Sequence, residues 1–321
     1  MLHGCAPHSG RVRTRYLLLT AIWGASFLFI KLGLEAFAPL QIVLGRMAFG
    51  AVALLAVVVV RRAALPREPR LWGHLVVAAS LLNTVPFTLF AYAEQRIPSA
   101  VAAICNATTP LFTLLLVAFA LPEERPTATR IAGLVLGFAG VFVVLGAWQG
   151  GAAGPDLVGV LLALTAAACY GVGGVYLRRH LSATPYSGLA LSAVQLLIGA
   201  VQLAVIAPIA TALPAELPVR AVVAVFALGA LGTGVAYVLQ YELIRRAGAT
   251  LASTVTYCLP VVSIGLGVVA LGEHLAWNAP VGAAIIIVGA VLSRSAPVTR
   301  RPALAAVGLA PGGWPRGPGR G

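Results

Sequence analysis

The sequence predicts an all-α membrane protein of ten transmembrane helices in two inverted five-helix repeats. Three observations predict it: ten successive segments long and apolar enough to cross a bilayer, arginines that alternate between the connections, and residues matched between the two halves. Of 321 residues, 60% are hydrophobic and 10% charged, where a soluble domain carries about 25% charged residues. The apolar stretches recur along the whole chain, so they are not one anchor on a soluble domain.

A crossing helix needs about 20 mainly apolar residues. Segments 17–37, 40–60, 72–91, 98–121 and 128–147 meet or approach that length, and so do 157–177, 186–210, 220–241, 248–271 and 278–294. The run from Tyr16 follows Arg11, Arg13 and Arg15 as a signal peptide would. It is too long for a cleaved apolar region and reads as a retained first helix. The expected organisation is a disordered basic N-terminus (1–15), a first repeat (16–147), a second repeat (157–294) and a disordered basic tail (295–321) suited to anionic lipid. The connections leave no room for a soluble domain.

The formal charge of +13 comes from 21 Arg and Lys31 against nine acids. No nucleic-acid motif accompanies it. With the N-terminus inside, eighteen arginines fall on inner segments and only Arg96 and Arg220 on outer ones. That bias predicts an even helix number in the cell membrane with both termini cytoplasmic. Trp72, Trp148 and Trp277 fall at span ends, the place of interfacial tryptophans. Cys5, Cys105, Cys169 and Cys258 show neither metal spacing nor a pairing pattern, so no metal, cofactor or disulfide is expected.

A shift of 150 residues carries Arg96 onto Arg246, Pro110 onto Pro260, Leu121 onto Leu271 and Glu123 onto Glu273. A shift of 147 carries Trp23-Gly24 onto Tyr170-Gly171 and Ile30-Lys31 onto Leu177-Arg178. Helices 4 and 9 therefore correspond, as do helices 1 and 6. A unit of five helices is odd, so its copy enters the membrane from the other side, as in secondary transporters whose substrate site lies between the halves.

The chain resembles the drug/metabolite transporter superfamily, in particular its ten-helix EamA-type members. The resemblance rests on Trp23-Gly24-Ala25-Ser26-Phe27 leading to Lys31, on Arg46 early in helix 2, and on Pro110-Leu111-Phe112 before Pro122-Glu123-Glu124-Arg125. Leu271-Gly272-Glu273-His274-Leu275, with Gly282 and Gly289 in helix 10, is its clearest part. It covers roughly 16–294 and implies two inverted halves, a central cavity and export or exchange of small metabolites. Pro122-Glu123-Glu124 departs from the family's usual Gly-Glu-Arg, so that turn is expected to differ in shape.

Charges within a span are costly and serve as functional hypotheses. Lys31 lies in the outer third of helix 1 with Glu35 one turn on as neutralising partner, and Arg46 lies at similar depth. Together they suggest a cationic mouth for a substrate carboxylate. The bland alternative is snorkelling to headgroups. Trp23, Ser26, Asn83, Asn106, Tyr170, Tyr237 and Tyr257 are candidate binding residues. With Gln195, Gln202 and Gln240, they put polar or aromatic groups where hydrocarbon demands a partner. Interhelical glue is the commoner use of such residues. Pro110 and Pro260 are candidate kinks suited to gating. Gly133 and Gly137, and the glycines of helix 8, read as close helix packing. Glu123 and Glu273 read as caps of the following helix. Glu35, Glu94, Glu242 and Glu273 all sit near span ends, so the sequence offers little support for a buried proton relay. Without a Walker A run or a catalytic cluster, neither ATP drive nor an enzyme is expected. The reading is a permease for small metabolites such as amino acids, embedded in lipid, with no nucleic-acid partner and a homodimer left open. The rivals are multidrug efflux of lipophilic compounds and a lipid scramblase or membrane enzyme.

Overall fold

The computed structural model describes residues 6–120, 124–125, 127–146, 156–295 and 299–300. Among the described residues nine helices are long and apolar enough to cross a membrane. They are α1 (Gly10–Gly33), α2 (Pro39–Val60), α3 (Pro69–Glu94), α4 (Ser99–Leu116), α5 (Ala128–Leu145), α6 (Leu157–His180), α7 (Gly188–Ala210), α8 (Val219–Gly248) and α9 (Leu251–Leu271). A shorter apolar helix, α10 (Asn278–Ser293), completes ten. The described residues add one antiparallel two-residue bridge, Glu124–Arg125 with Thr299–Arg300. The ten-helix membrane class predicted from the sequence is thus the observed one. Several helices overrun their apolar segments. Pro69 starts α3 at a position where its missing N–H costs nothing, and α8 continues through the polar run Glu242–Arg246.

The packing is symmetric under exchange of the halves. Helices α5 and α10, α2 and α7, and α4 and α9 pair with each other's counterparts. The contacts of α1 with α8 and α9 are mirrored by those of α6 with α3 and α4, and those of α2 with α8 by α7 with α3. The glycines matched in the sequence carry this relation to atomic detail. A Cβ on Gly24 would fall 2.5 Å from Val262 Cβ, and one on Gly171 would fall 3.1 Å from Phe112 Cβ. Val262 and Phe112 are themselves related by the 150-residue shift. An exchange symmetry between bundles of five crossings puts the two-fold axis in the membrane plane, which is the inverted repeat.

Small residues set the closest approaches. A Cβ on Gly133 would lie 2.6 Å from both the Gly289 carbonyl oxygen and the Ser293 nitrogen, and one on Gly282 would lie 2.7 Å from the Gly140 oxygen. Helices α5 and α10 therefore meet backbone to backbone. Asn278 fastens the same pair by donating to the Val143 and Val144 carbonyls at 3.1 and 3.0 Å. Gly248 (φ 85°) separates α8 from α9, and Gly272 (φ 62°) ends α9, both in the left-handed region that a side chain disfavours.

The α3–α4 turn, residues 95–98, is clamped from both sides. Lys31 of α1 donates to the Glu94 and Ile97 carbonyls, the latter at 3.1 Å, so a cation sits on the C-terminal end of α3. Glu273, in the turn after α9, accepts from the Ser99 and Ala100 N–H groups at 2.7 and 3.3 Å, an anion on the N-terminus of α4. Glu273 therefore caps a helix of the other half, not the helix that follows it as its sequence position suggested. The matching expectation for Glu123 lies outside the described residues, as do Trp148 and the Pro122-Glu123 turn. At the same turn Asp156 caps α6 by accepting from Gly159 N–H at 2.9 Å and pairs with Arg96 at 3.3 Å. The Gly159 N–H, then Arg96, hold the Asp156 carboxyl below the usual carboxylate range.

At the other end of the bundle, the hydroxyl of Tyr186 donates to both oxygens of Glu68 (2.9 and 2.7 Å). That bond joins the α2–α3 and α6–α7 connections and holds the Glu68 carboxyl below its ordinary value. Arg61, just past α2, reaches Glu242 of α8 at 3.3 Å.

Candidate functional site

A cavity of about 450 Å³ lies between the halves, within the 300–1,000 Å³ usual for small-molecule sites. It runs from mid-bundle to the end carrying the α6–α7 and α8–α9 turns, where Leu177, Ser192, Tyr241 and Ser253 line it. Toward the opposite end its wall finishes at Ile30 and Phe90. There Phe27 and Phe90 meet edge to face with centroids 5.6 Å apart. Its lining is two-fold, since Trp23 and Tyr170, Phe87 and Tyr237, and Asn106 and Thr256 are pairs related by the shifts that match the halves.

Among the described residues Arg46 is the one acidic or basic side chain in the wall. It is 8% exposed. Its Nε donates to Thr233 Oγ1 at 3.0 Å, and its guanidinium carbon lies 3.6 Å from the centroid of the Phe87 ring. Glycines on α8 permit this. A Cβ on Gly229 would lie 2.9 Å from the Arg46 carbonyl oxygen, so α2 and α8 approach too closely for a larger residue there. Among the described residues no carboxylate lies within 4 Å of Arg46.

Two π-helical turns aim the polar groups. Ser80–Thr84 in α3 and Ala230–Val235 in α8 occupy matching places in the halves. Asn83 and Thr233, related by the 150-residue shift, sit one in each. Pro86 follows the first turn and cannot donate to the carbonyl one turn back, and a π turn absorbs such a defect. Asn83 Oδ1 accepts from the Tyr237 hydroxyl at 2.9 Å. Gln202 supports the turn from α7, accepting from Thr84 at 2.8 Å and donating to Ser80 at 3.2 Å.

Pro110 breaks α4. Its missing N–H leaves the Asn106 carbonyl without a helical donor, and Thr109 Oγ1 supplies one at 2.8 Å. The chain turns at Ala107–Thr108 and leaves Asn106, Thr109 and Thr113 on the wall. Its counterpart Pro260 is carried inside an unbroken helix, so the two prolines do not produce matched breaks.

The EamA-like transporter family model matches the chain twice, over residues 16–146 and 157–295. The chain belongs to the EamA-like transporter family. Its relatives include the Bacillus subtilis uncharacterized transporter YoaV, 26% identical over 87% of this chain and 95% of that protein. The Escherichia coli uncharacterized inner membrane transporter YedA is 28% identical over 85% and 87%. A protein of Streptantibioticus cattleyicolor named as a probable terminal-alkyne amino-acid exporter is 28% identical over 89% and 94%. A solved crystal structure shares the fold with a TM-score of 0.64 at 24% identity, covering 89% of this chain and 97% of that one. This EamA chain is thus a multi-pass membrane transporter, not an enzyme.

Of the residues singled out from the sequence, the EamA cavity brings together Trp23, Ser26 and Arg46 with Asn83, Asn106 and Tyr170, and adds Tyr237, Gln195, Gln240 and Pro110. Lys31, Tyr257, Gln202 and Pro260 do not line it. Lys31 is spent on the Glu94 and Ile97 carbonyls, and its expected partner Glu35 pairs instead with Arg220 at 3.5 Å. Tyr257 is 6% exposed, and its hydroxyl donates to the Ala290 carbonyl of α10 at 3.4 Å.

Glu94 corrects the reading of span-end acids. It closes α3, yet it is wholly buried, and among the described residues neither carboxyl oxygen has a hydrogen-bond partner. The next two residues, Gln95 and Arg96, are exposed, so at this helix end one side chain turns inward while its neighbours face out. The wall residues Phe87, Phe90, Thr109, Thr113, Ser192 and Tyr241 were not singled out from the sequence. Asn106, Thr109 and Thr113 follow i, i+3, i+7, and Ser192 and Gln195 follow i, i+3, so polar stripes on apolar helices were the available signal.

Proposed function

We propose that this chain is a secondary permease that exports or exchanges small amino-acid-like metabolites by alternating access through the central cavity. The observation that carries the reading is a cavity lined from both halves of an inverted repeat by neutral polar groups, aromatic rings and one arginine. A site between inverted repeats can be offered to either side as one half rocks against the other. The structure has the form expected of one such state, with the wall reaching one end and aromatic rings meeting at the other. Arginine counts support assigning the end with the α6–α7 and α8–α9 turns, and both termini, to the cytoplasm. The amino-acid class draws support from the Streptantibioticus relative's name. Efflux of lipophilic cations would ask for an acid in the wall, and the wall presents a cation instead.

The test is a metabolite-release screen comparing cells that produce the wild-type chain with cells producing Arg46→Gln at equal membrane level. The reading expects small carboxylated metabolites to appear outside the wild-type cells alone. Identical exometabolomes would overturn it.

A further inference from the structure

We infer that the cavity selects substrates carrying one net negative charge, a single carboxylate on an otherwise uncharged apolar or aromatic body, over zwitterions and cations of the same skeleton. The inference rests on the permease reading and narrows its substrate class to carboxylates that resemble amino acids but lack the free ammonium.

Arg46 supplies the charge argument. The wall holds its guanidinium and no acid, and tyrosines stay neutral at pH 7. The cavity wall therefore carries one positive charge held close to apolar surface, where a charge interacts more strongly than in water. Glu94 is within electrostatic reach of Arg46, but it does not line the cavity and no ion pair joins the two within 4 Å. A monoanion brings the missing charge. A zwitterion also brings an ammonium, for which the wall offers only amide and hydroxyl oxygens and ring faces.

Arg46 is also held in one orientation. Thr233 takes Nε at 3.0 Å, and Phe87 covers the plane at 3.6 Å. Nη1 and Nη2 make no hydrogen bond to the protein among the described residues. Two parallel N–H donors on a fixed plane match the two oxygens of a carboxylate. Several nearby neutral groups are already engaged. Asn83 Oδ1 takes the Tyr237 hydroxyl, and Ser192 and Tyr241 bond each other at 2.7 Å. The aromatic side of the pocket is built from Phe87, Phe90 and Tyr170, with Tyr170 centroids 6.5 and 6.2 Å from the two phenyl rings. It offers a surface for a ring or alkyl body.

The experiment uses the purified full chain in detergent and three probes of one benzyl skeleton: 3-phenyllactate (net −1), phenylalanine (zwitterion) and phenethylamine (net +1). Equilibrium dialysis with labelled probes gives each Kd. The inference expects phenyllactate to bind at least about tenfold tighter than phenylalanine, and phenethylamine not to bind, since charge-assisted bonds are the strong ones. Arg46→Gln should abolish the preference, and Arg46→Lys should retain part of it as a point charge without the fork. The wild-type panel is decisive even if the variants fold poorly. Equal or tighter binding of phenylalanine or the amine would overturn the charge assignment and leave the permease reading standing. Failure of all three to bind at millimolar concentration would also overturn the assignment. The permease reading falls separately, on a blank release screen.

Discussion

Gly133→Ala tests the backbone contact that joins the two repeats at α5 and α10. Its Cβ would lie 2.6 Å from the Gly289 oxygen and from the Ser293 nitrogen, and 2.9 Å from Ser293 Cα, where ordinary contact begins at 3.4 Å. All three neighbours are backbone atoms, so no rotamer change relieves the clash. The helices must separate by most of an ångström along a seam where Gly137, Gly140, Gly282 and Gly289 also touch opposing backbone. Overpacking of this kind costs about 1–3 kcal/mol, against a helix-propensity gain of roughly 0.5–1 kcal/mol for replacing glycine. Gly265→Ala in α9 is the matched control. A Cβ there meets nothing within 4 Å, so only the propensity gain of roughly 0.5–1 kcal/mol remains. Thermal unfolding of detergent-purified protein should show the first variant less stable than wild type and the second more stable. Equal or raised stability of Gly133→Ala would refute the close α5–α10 seam.

Lys31→Ala removes the cationic donor from the Glu94 and Ile97 carbonyls and should cost about 1–3 kcal/mol of stability. Carboxylate affinity should stay within about twofold because Lys31 does not line the cavity; a selective loss of binding would return it to the site. Glu94→Leu replaces two buried oxygens, without a hydrogen-bond partner among the described residues, with apolar atoms. Its melting temperature should equal or exceed that of wild type, and a drop would mean that attraction to Lys31 outweighs burial. Tyr186→Phe removes the hydroxyl that holds the Glu68 carboxyl below its ordinary value. A depressed carboxyl stabilises the fold above its unfolded pKa of about 4.3 and loses that contribution as pH falls through the folded value. The wild-type advantage over Tyr186→Phe should therefore be present at neutral pH and vanish in acid, and melting curves that differ equally at both would reject the linkage.

The ten helices were legible because a bilayer imposes one length and one composition on every crossing. The two-fold relation was legible where uncommon residues marked it, at Trp23 and Tyr170, and at Pro110 and Pro260. Much of the cavity wall was legible for a related reason: polar and aromatic side chains in hydrocarbon must face the bundle, and Arg46, Asn83, Asn106 and Tyr237 do so. That rule says only that a group finds a partner, not which one. Tyr257 found a carbonyl of α10, and Gln202 found the α3 π turn. The acceptors of Lys31, Glu94 O and Ile97 O, were not legible because they are backbone atoms more than sixty residues away. Sequence spacing paired Lys31 with Glu35 on its own helix, and Glu35 went to Arg220. Glu94 was misjudged because position along a helix does not say which way a side chain at its end turns: Glu94 is buried while Gln95 and Arg96 beside it are exposed. The π turns carry no propensity signal, although Pro86 and the Gly232–Gly234 pair sit at or beside them.

Gly174 allows the most direct test of the passage itself. It lines the cavity, and a Cβ there meets no atom within 4 Å, so a large side chain would occupy cavity space without striking the fold at its root. Solute counterflow of a labelled carboxylate into preloaded proteoliposomes would compare wild type with Gly174→Trp. The account predicts a transient accumulation for wild type and none for the variant, with melting temperatures alike. Undiminished counterflow through a folded Gly174→Trp protein would contradict the claim that substrate passes through this cavity.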